Sequence, residues 1–108
     1  MSTTIINGQE IEVVIVGEDG TAIEEPLSKS ELAAFCRLDE VLRSHPGFQA
    51  AYSNARLVRV DSMRGTGEEE EGRYYLRYQY GDKSTEFWGN IADIEQVDCE
   101  QGIVSVTH

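Results

Sequence analysis

A turn dipeptide near the start of the chain lies between two runs of apolar residues. Asn7-Gly8 tolerates the positive φ angles that both central residues of a type I′ turn require, and Ile5-Ile6 precedes it. The residues after the turn alternate in polarity and then become apolar on both faces: Ile11, Glu12, Val13, Val14, Ile15 and Val16. This pattern predicts a β-hairpin whose second strand enters the interior of a sheet. A short third strand is predicted over 21–24, ended by Pro26.

A helix start follows at Ser28. Ser28 and Glu31 have the spacing of a capping box, in which the serine oxygen accepts from one free backbone N–H and the glutamate reaches back to another. The apolar residues that follow recur on one side at 100° per residue: Ala34, Phe35, Leu38, Val41 and Leu42. His45-Pro46 ends the pattern, because the residue before a proline is driven out of the α region. We predict an amphipathic helix over about 28–45 that covers an apolar surface.

The rest of the chain has the pattern of strands and short turns. One or two helical turns are expected over 48–52, followed by a strand near 57–60. A C-terminal β-meander is predicted to pair 73–80 with 85–88 and 94–99 with 103–106. The predicted fold is therefore α+β, with an N-terminal β-hairpin and one helix packed on a mainly antiparallel sheet of about five to seven strands.

Composition narrows the class of protein. The 108 residues include 20 acidic and 9 basic side chains, for a formal net charge of −11. The length predicts one globular domain over 1–108. Binding to a nucleic-acid backbone or an anionic membrane is disfavoured, because both need a positive surface. The amino terminus has no basic, apolar signal segment, and no run is long enough to span a membrane, so we expect a cytoplasmic protein.

Residue types that carry catalysis or bind metals are few. The only histidines are His45 and His108, which excludes a site with three histidine ligands. Cys36 and Cys99 lie 63 positions apart without a nearby Cys or His, so they are expected to be free thiols. The run of four glutamates, Glu68 to Glu71, lacks the alternating ligand pattern of a calcium loop. No catalytic residue, metal site or cofactor is predicted.

Acidic residues are concentrated toward the two ends of the chain, whereas the middle third is slightly basic. The stretch over 64–72 has three glycines, four successive glutamates and no apolar residue, which predicts a mobile acidic loop. If this loop and the first hairpin lie on one side, they would form a negative surface that steers a basic partner. The candidate acidic partner-binding residues are Glu18, Asp19, Glu68, Glu69, Glu70 and Glu71.

Six of the nine aromatic residues fall between positions 74 and 88. Strand alternation places Tyr74, Leu76, Tyr78 and Tyr80 on one face, which we expect beneath the helix. The opposite face would carry a stripe of arginine and tyrosine, and either Trp88 or its neighbour Phe87 would extend it. The candidate binding residues on that face are Arg59, Arg73, Tyr75, Arg77 and Trp88.

Two kinds of binding function compete for these residues, and an ordinary solvent-facing sheet with cross-strand pairs such as Arg77 and Glu86 explains the same pattern. Arginine and tyrosine are enriched at protein-interface hot spots, whereas aromatics flanked by arginines also bind single-stranded nucleic acids. The leading hypothesis is a small acidic inhibitor, immunity protein, accessory factor or nucleic-acid mimic that engages a basic partner protein. The alternatives are a single-strand nucleic-acid-binding module and, third, an enzyme that uses a carboxylate pair.

Overall fold

Residues 2–17, 19–64 and 73–107 are described in a computed structural model, in which they form one mixed eight-stranded sheet and two helices. The elements are β1 (Ser2–Ile6), β2 (Gln9–Val16), β3 (Ala22–Ile23), α1 (Lys29–Ser44), α2 (Pro46–Ala51), β4 (Arg56–Met63), β5 (Arg73–Tyr80), β6 (Lys83–Ile91), β7 (Gln96–Asp98) and β8 (Ile103–Val106). The predicted α+β class, with one main helix packed on a mainly antiparallel sheet, is confirmed. Of the predicted acidic loop over 64–72, residues 65–72 lie outside the described residues.

The first hairpin and the helix start form as their local sequences predict. Asn7 and Gly8 adopt φ angles of 49° and 85°, as a type I′ turn requires. Both halves of the capping box are present, since Ser28 Oγ accepts from the Glu31 N–H and the Glu31 carboxylate accepts from the Ser28 N–H. His45 ends α1 and begins α2, where its Nδ1 accepts from the Gly47 N–H.

The strand order is β1-β2-β4-β5-β6-β8-β7, with β3 paired to β2 beside β1. Both predicted pairings of the C-terminal meander form, β5 with β6 and β7 with β8, but the last hairpin attaches through β8, which lies between β6 and β7 and pairs parallel to β6. The hairpin of β7 and β8 can join a sheet through either strand. It joins through β8 because Val104 and Val106 are fully buried there, whereas β7 carries Asp98 to the edge. The parallel pairing of β2 with β4 follows from the helical connection between them.

Both helices pack on one face of the sheet. Tyr74, Leu76, Tyr78 and Tyr80 lie on this face, as predicted, and Leu76 and Tyr78 are fully buried. Phe35, Leu38 and Leu42 of α1 pack against them together with Phe48 of α2. In the described part of the chain, no helix is long and apolar enough to cross a membrane.

Candidate partner-binding face

The face of the sheet that points away from the helices carries the predicted arginine and tyrosine residues. We call it the open face, because no helix among the described residues packs on it. Its central strands contribute Arg59, Asp61, Arg73, Tyr75, Arg77, Glu86, Trp88 and Ile103. The structure therefore brings all five sheet-face candidates together. Between the two aromatic neighbours left open by the sequence, Trp88 takes the open face and Phe87 is buried in the core.

An aromatic pair occupies the centre of the open face. Tyr75 and Trp88 are directly opposed on β5 and β6, with ring centroids 5.2 Å apart and planes at 64°. Trp88 is 43% exposed, and Ile103 beside it on β8 is 41% exposed. Tyr75 itself is only 7% exposed. Tyr75 therefore packs edge to face against the indole, and Trp88 and Ile103 present the apolar surface to solvent.

Two of the arginines on the open face, Arg59 and Arg77, are paired with carboxylates. Arg59 donates to Asp61 through Nε and Nη2 at 2.8 and 3.1 Å. Arg77 Nη2 donates to Glu86 at 3.1 Å across the strands, as predicted, and its Nε donates to the Tyr75 hydroxyl at 3.2 Å. The arginine stripe thus exists in position, but the charges of Arg59 and Arg77 within it are locally neutralised.

Ionisation on the open face follows these contacts. Hydrogen bonding to Tyr75 and to Arg77 holds the pKa of Glu86 below its ordinary value, against the opposing effect of burial. Burial and the neighbouring Glu86 raise the pKa of Tyr75. The hydrogen bond to Asp61 raises the pKa of Arg59. Glu86 is therefore ionised and Tyr75 is neutral near pH 7, which keeps this cluster of ion pairs intact.

A groove of about 350 Å³ runs beside Trp88 on the open face. Its lining is Arg73, Trp88, Gly89, Asn90, Gln101 and Ile103. Asn90 accepts from the Ser105 hydroxyl at 2.7 Å, which orients its amide. The groove therefore combines an apolar wall with side chains that can donate hydrogen bonds, next to the exposed indole.

The acidic candidates are only partly described. Glu18 and Glu68 to Glu71 lie outside the described residues. Asp19 is exposed, and its pKa is lowered by hydrogen bonds from the Thr21 hydroxyl and N–H at 2.6 and 3.1 Å. This bond pattern is that of a local turn, so Asp19 has an evident structural role in the β2–β3 connection.

Exposed acids from separate parts of the chain lie at one end of the sheet. Strands β2 and β4 finish side by side, with Arg64 N–H bonded to the Val16 carbonyl. The antiparallel start of β5 and the ends of β6 and β8 lie at the same end. The described acids at or next to this end are Asp19, Glu24, Glu25, Asp93 and Glu95. Arg64 and Arg73, which flank residues 65–72 in the sequence, also lie there.

Two buried carboxylates were missed by the sequence argument. Glu31 is bonded to Ser62 and Arg64, and Asp39 is bonded to Asn7, Arg43 and Tyr78. Asp39 lies one helical turn after Phe35, so the helical period could have placed it toward the sheet. The two carboxylates are eight residues apart on α1, about 12 Å along its axis, and therefore do not form a catalytic pair. The described residues contain no group of three or more His, Cys, Asp or Glu side chains arranged to hold a metal.

The chain was compared with known proteins at the level of family, sequence and structure. No protein family model, no curated protein and no solved structure matches it.

Proposed function

We propose that this chain is a non-catalytic binding protein that docks its open face on a partner protein with a basic surface. The observation that carries the proposal is the exposed Trp88, supported by the buried Tyr75 and flanked by Ile103. An aromatic side chain held rigidly on a strand exposes a large contact area at little cost in conformational entropy. Such residues dominate the binding energy of protein interfaces.

Charge supports a basic partner. The open face carries the five carboxylates of Glu10, Glu12, Asp61, Glu86 and Asp98 and the four guanidinium groups of Arg56, Arg59, Arg73 and Arg77. Carboxylates are therefore in excess on it, and more acids lie at the end of the sheet. A partner lysine or arginine can stack on the indole of Trp88, which is the best aromatic acceptor of a cation. The exposed Asp19, together with Glu18 and Glu68 to Glu71 of the sequence, would accelerate the encounter by electrostatic steering.

Single-stranded nucleic acid is the less favoured ligand for this face. A phosphate would have to displace Asp61 from Arg59 and Glu86 from Arg77, since both arginines are already ion-paired. Only Trp88 offers a freely exposed aromatic ring at the centre of the face, whereas stacking proteins place successive bases on several rings.

A reducing cytoplasm fits the two cysteines, which are both free thiols.

The test is capture of a partner from native cell extract by the immobilised chain and by two variants. Trp88→Ala removes the central indole, and Ile94→Ala removes a more exposed apolar side chain that lies in the β6–β7 connection, off the open face. We expect one partner to be captured by the parent and by Ile94→Ala, lost with Trp88→Ala and released by salt. Equal capture by all three proteins would contradict the proposal, as would capture of nucleic acid in place of protein.

A second variant isolates the steering role of the glutamate run. Changing Glu68 to Glu71 to lysine should slow association with the captured partner and flatten its dependence on salt. Because Trp88 is the only tryptophan, its fluorescence reports directly on contact with the open face during titration of the purified partner. An unchanged association rate would remove the glutamate run from the proposal while leaving the role of Trp88 to be judged by the capture experiment.

A further inference from the structure

The outer strand of the first hairpin has a free edge. β1 pairs with β2 over five successive residue pairs without a register shift, and among the described residues it pairs with no other strand. Ile6 and Gln9 flank the two-residue turn and therefore form a hydrogen-bonded pair. Because hydrogen-bonded and non-hydrogen-bonded pairs alternate, the N–H and C=O groups of Thr3 and Ile5 point away from β2. We call these four groups the β1 edge.

The β1 edge lacks the features that normally keep an edge strand from pairing. The sequence of β1, Ser-Thr-Thr-Ile-Ile, contains no charge, no proline and no glycine, and the Ile5 side chain is 60% exposed. At the other edge of the sheet, β7 has only three residues, ends in Asp98 and lies between Glu95 and Glu100. Of these two edges, β1 is therefore the one that can accept a further strand.

Two glutamates of β2 lie directly behind the β1 edge. Glu10 is opposite Ile5 and Glu12 is opposite Thr3, and all four side chains are on the open face, because the alternating Ile11 is buried in the core. Both are non-hydrogen-bonded pairs, in which the side chains of neighbouring strands come closest. Any side chain added next to Thr3 or Ile5 on this face therefore has a carboxylate one strand behind it.

Glu10 is the less compensated of these two carboxylates. Glu12 is opposite Arg59 on β4, whose positive charge partly offsets its own. Glu10 is exposed and forms no ion pair among the described residues, although Arg56 lines the same groove. A negative charge without a bonded counter-charge therefore remains beside the β1 edge.

We propose that the β1 edge binds an extended basic segment of the partner protein, which adds to the sheet antiparallel to β1 and carries lysine or arginine at alternate positions. The residues opposite Thr3 and Ile5 each exchange two hydrogen bonds with β1, so all four groups of the β1 edge are satisfied. The side chains of these residues lie on the open face. A lysine or arginine there lays its apolar stem along the exposed Ile5 and brings its charge to Glu10, since neighbouring strands are only about 4.8 Å apart.

Charge favours a basic segment over the other strands that could pair here. The chain has a net charge of −11, and a second copy would bring its own Glu10 and Glu12 toward those of the first. An acidic segment meets the same repulsion, and a neutral one gains nothing from the two carboxylates. In strand addition, main-chain hydrogen bonds supply the affinity and alternate side chains supply the specificity. Alternation matters because only every second side chain of the added strand faces the glutamates.

This inference rests on the proposed function for the class of partner, a basic protein, and adds a second surface that holds it. β1 and β6, which carries Trp88, are four strand spacings apart, or roughly 19 Å. A short peptide bound along β1 does not reach Trp88. Peptide binding and capture through Trp88 can therefore fail separately, and the failure of one leaves the other to be judged by its own experiment.

The experiment is a titration of the full chain into a fluorescently labelled heptapeptide of alternating lysine and threonine, followed by anisotropy at low and physiological salt. We expect saturable binding that weakens with added salt. The same peptide with its lysine backbone nitrogens methylated keeps its charge but loses its donors to β1, and should bind about tenfold or more weakly. A peptide with glutamate in place of lysine should not bind.

Variants of the chain locate the bound peptide. Thr3→Pro removes an outward N–H without touching the pairing of β1 with β2, and should weaken binding by about fivefold or more. Glu10→Lys should also weaken binding, by reversing the nearest charge. Glu100→Lys is its matched control, because Glu100 is exposed beside the opposite edge, roughly 29 Å away and beyond the screening length at physiological salt. Glu100→Lys and Trp88→Ala should both bind the peptide like the parent.

Four results would overturn the proposal. The first is a parent chain that shows no saturable binding of the lysine peptide. The second is equal binding of the methylated peptide, or equal effects of Glu10→Lys and Glu100→Lys, which would indicate attraction by charge without strand pairing. The third is loss of the peptide with Trp88→Ala, which would place it at the centre of the open face. The fourth is a chain that sediments alone at twice 12.1 kDa and that Thr3→Pro returns to 12.1 kDa, which would assign the edge to a second copy.

Circular dichroism checks that each variant is folded. The methylated peptide tests the backbone contact without any change to the chain, so the proposal stays testable if Thr3→Pro does not fold. Glu10 is exposed, which makes Glu10→Lys compatible with the fold.

Discussion

The hydroxyl of Tyr78 donates to the Asp39 carboxylate at 2.6 Å in the buried layer between α1 and the sheet. The same carboxylate accepts from Asn7 Nδ2 at 2.9 Å and from Arg43 Nε at 3.0 Å. Three separate elements, namely the β1–β2 turn, α1 and β5, are therefore joined at one acid. Burial and the adjacent Asp39 raise the pKa of Tyr78 well above its usual value, so Tyr78 is protonated and donates at neutral pH.

Tyr78→Phe should destabilise the fold by about 1 to 3 kcal/mol, because a buried carboxylate loses one of its donors. The free energy of unfolding in urea measures this loss. Tyr80→Phe is the matched control on the same strand and the same face, since its hydroxyl has no hydrogen bond among the described residues. Tyr80→Phe should lower the free energy of unfolding clearly less than Tyr78→Phe does. Equal losses in the two variants would show that the bond to Asp39 contributes little to stability.

Glu31 makes stability depend on pH in the acid range. Burial alone would raise its pKa, but hydrogen bonds from Arg64, Ser62 and the Ser28 N–H outweigh burial and hold the pKa at about 2, against 4.5 for the free group. A lowered pKa stabilises the fold above the unfolded value, so this contribution is complete above about pH 5 and is lost as the pH falls from 4.5 toward 2. Its size is about 3 kcal/mol at neutral pH.

Glu31→Gln tests that contribution directly. The variant should be less stable than the parent at pH 7, and the difference between their unfolding free energies should shrink as the pH falls below 4.5. Glu40→Gln, exposed on the same helix, serves as the control and should follow the parent curve. A constant difference between parent and Glu31→Gln across this range would contradict the assigned pKa.

Gly89 allows α1 to approach β6 closely. A Cβ at this position would lie 2.8 and 2.9 Å from the two terminal carbons of Leu38, which is fully buried. Gly89→Ala should therefore destabilise the fold by about 1 to 3 kcal/mol through overpacking. Leu38→Ala leaves room for the added methyl group, so the double variant should lose less stability than the two single losses added together. Thermal unfolding of the parent, the two single variants and the double variant measures these losses. A double variant that loses as much stability as the two single losses added together would rule out the contact between positions 89 and 38.

Two glycines with positive φ allow the cost of backbone strain to be measured apart from the cost of a steric clash. Gly81 has a φ of 62° and open space where a Cβ would lie, whereas Gly102 has a φ of 69° and a Cβ there would lie 2.7 Å from the Glu86 carbonyl oxygen. Gly81→Ala should cost about 1 kcal/mol from conformation alone. Gly102→Ala should cost at least twice as much, as measured by denaturant unfolding. Similar costs would mean that the β7–β8 turn shifts to relieve the clash.

Sequence by itself determined the features that depend on neighbouring residues. The capping box at Ser28 and Glu31, the type I′ turn at Asn7-Gly8 and the alternation along β5 each need only a few residues, and each forms as predicted. The open-face positions of Tyr75 and Arg77 follow from the same alternation, whereas Arg59 follows a register shift in β4 that places it on the face opposite to Leu57.

Only the tertiary structure decided how those elements combine. The attachment of the last hairpin through β8 depends on which strand buries more apolar surface against a sheet that the local sequence does not contain. Asp39 and Glu31 are buried because Arg43, Tyr78, Ser62 and Arg64 reach them from distant parts of the chain. The pairing of Arg59 and Arg77 with carboxylates changed the open face from a basic stripe into a locally neutral surface around Trp88. Local sequence thus sets the elements and their faces, and long-range burial sets their neighbours and the net charge that each face presents.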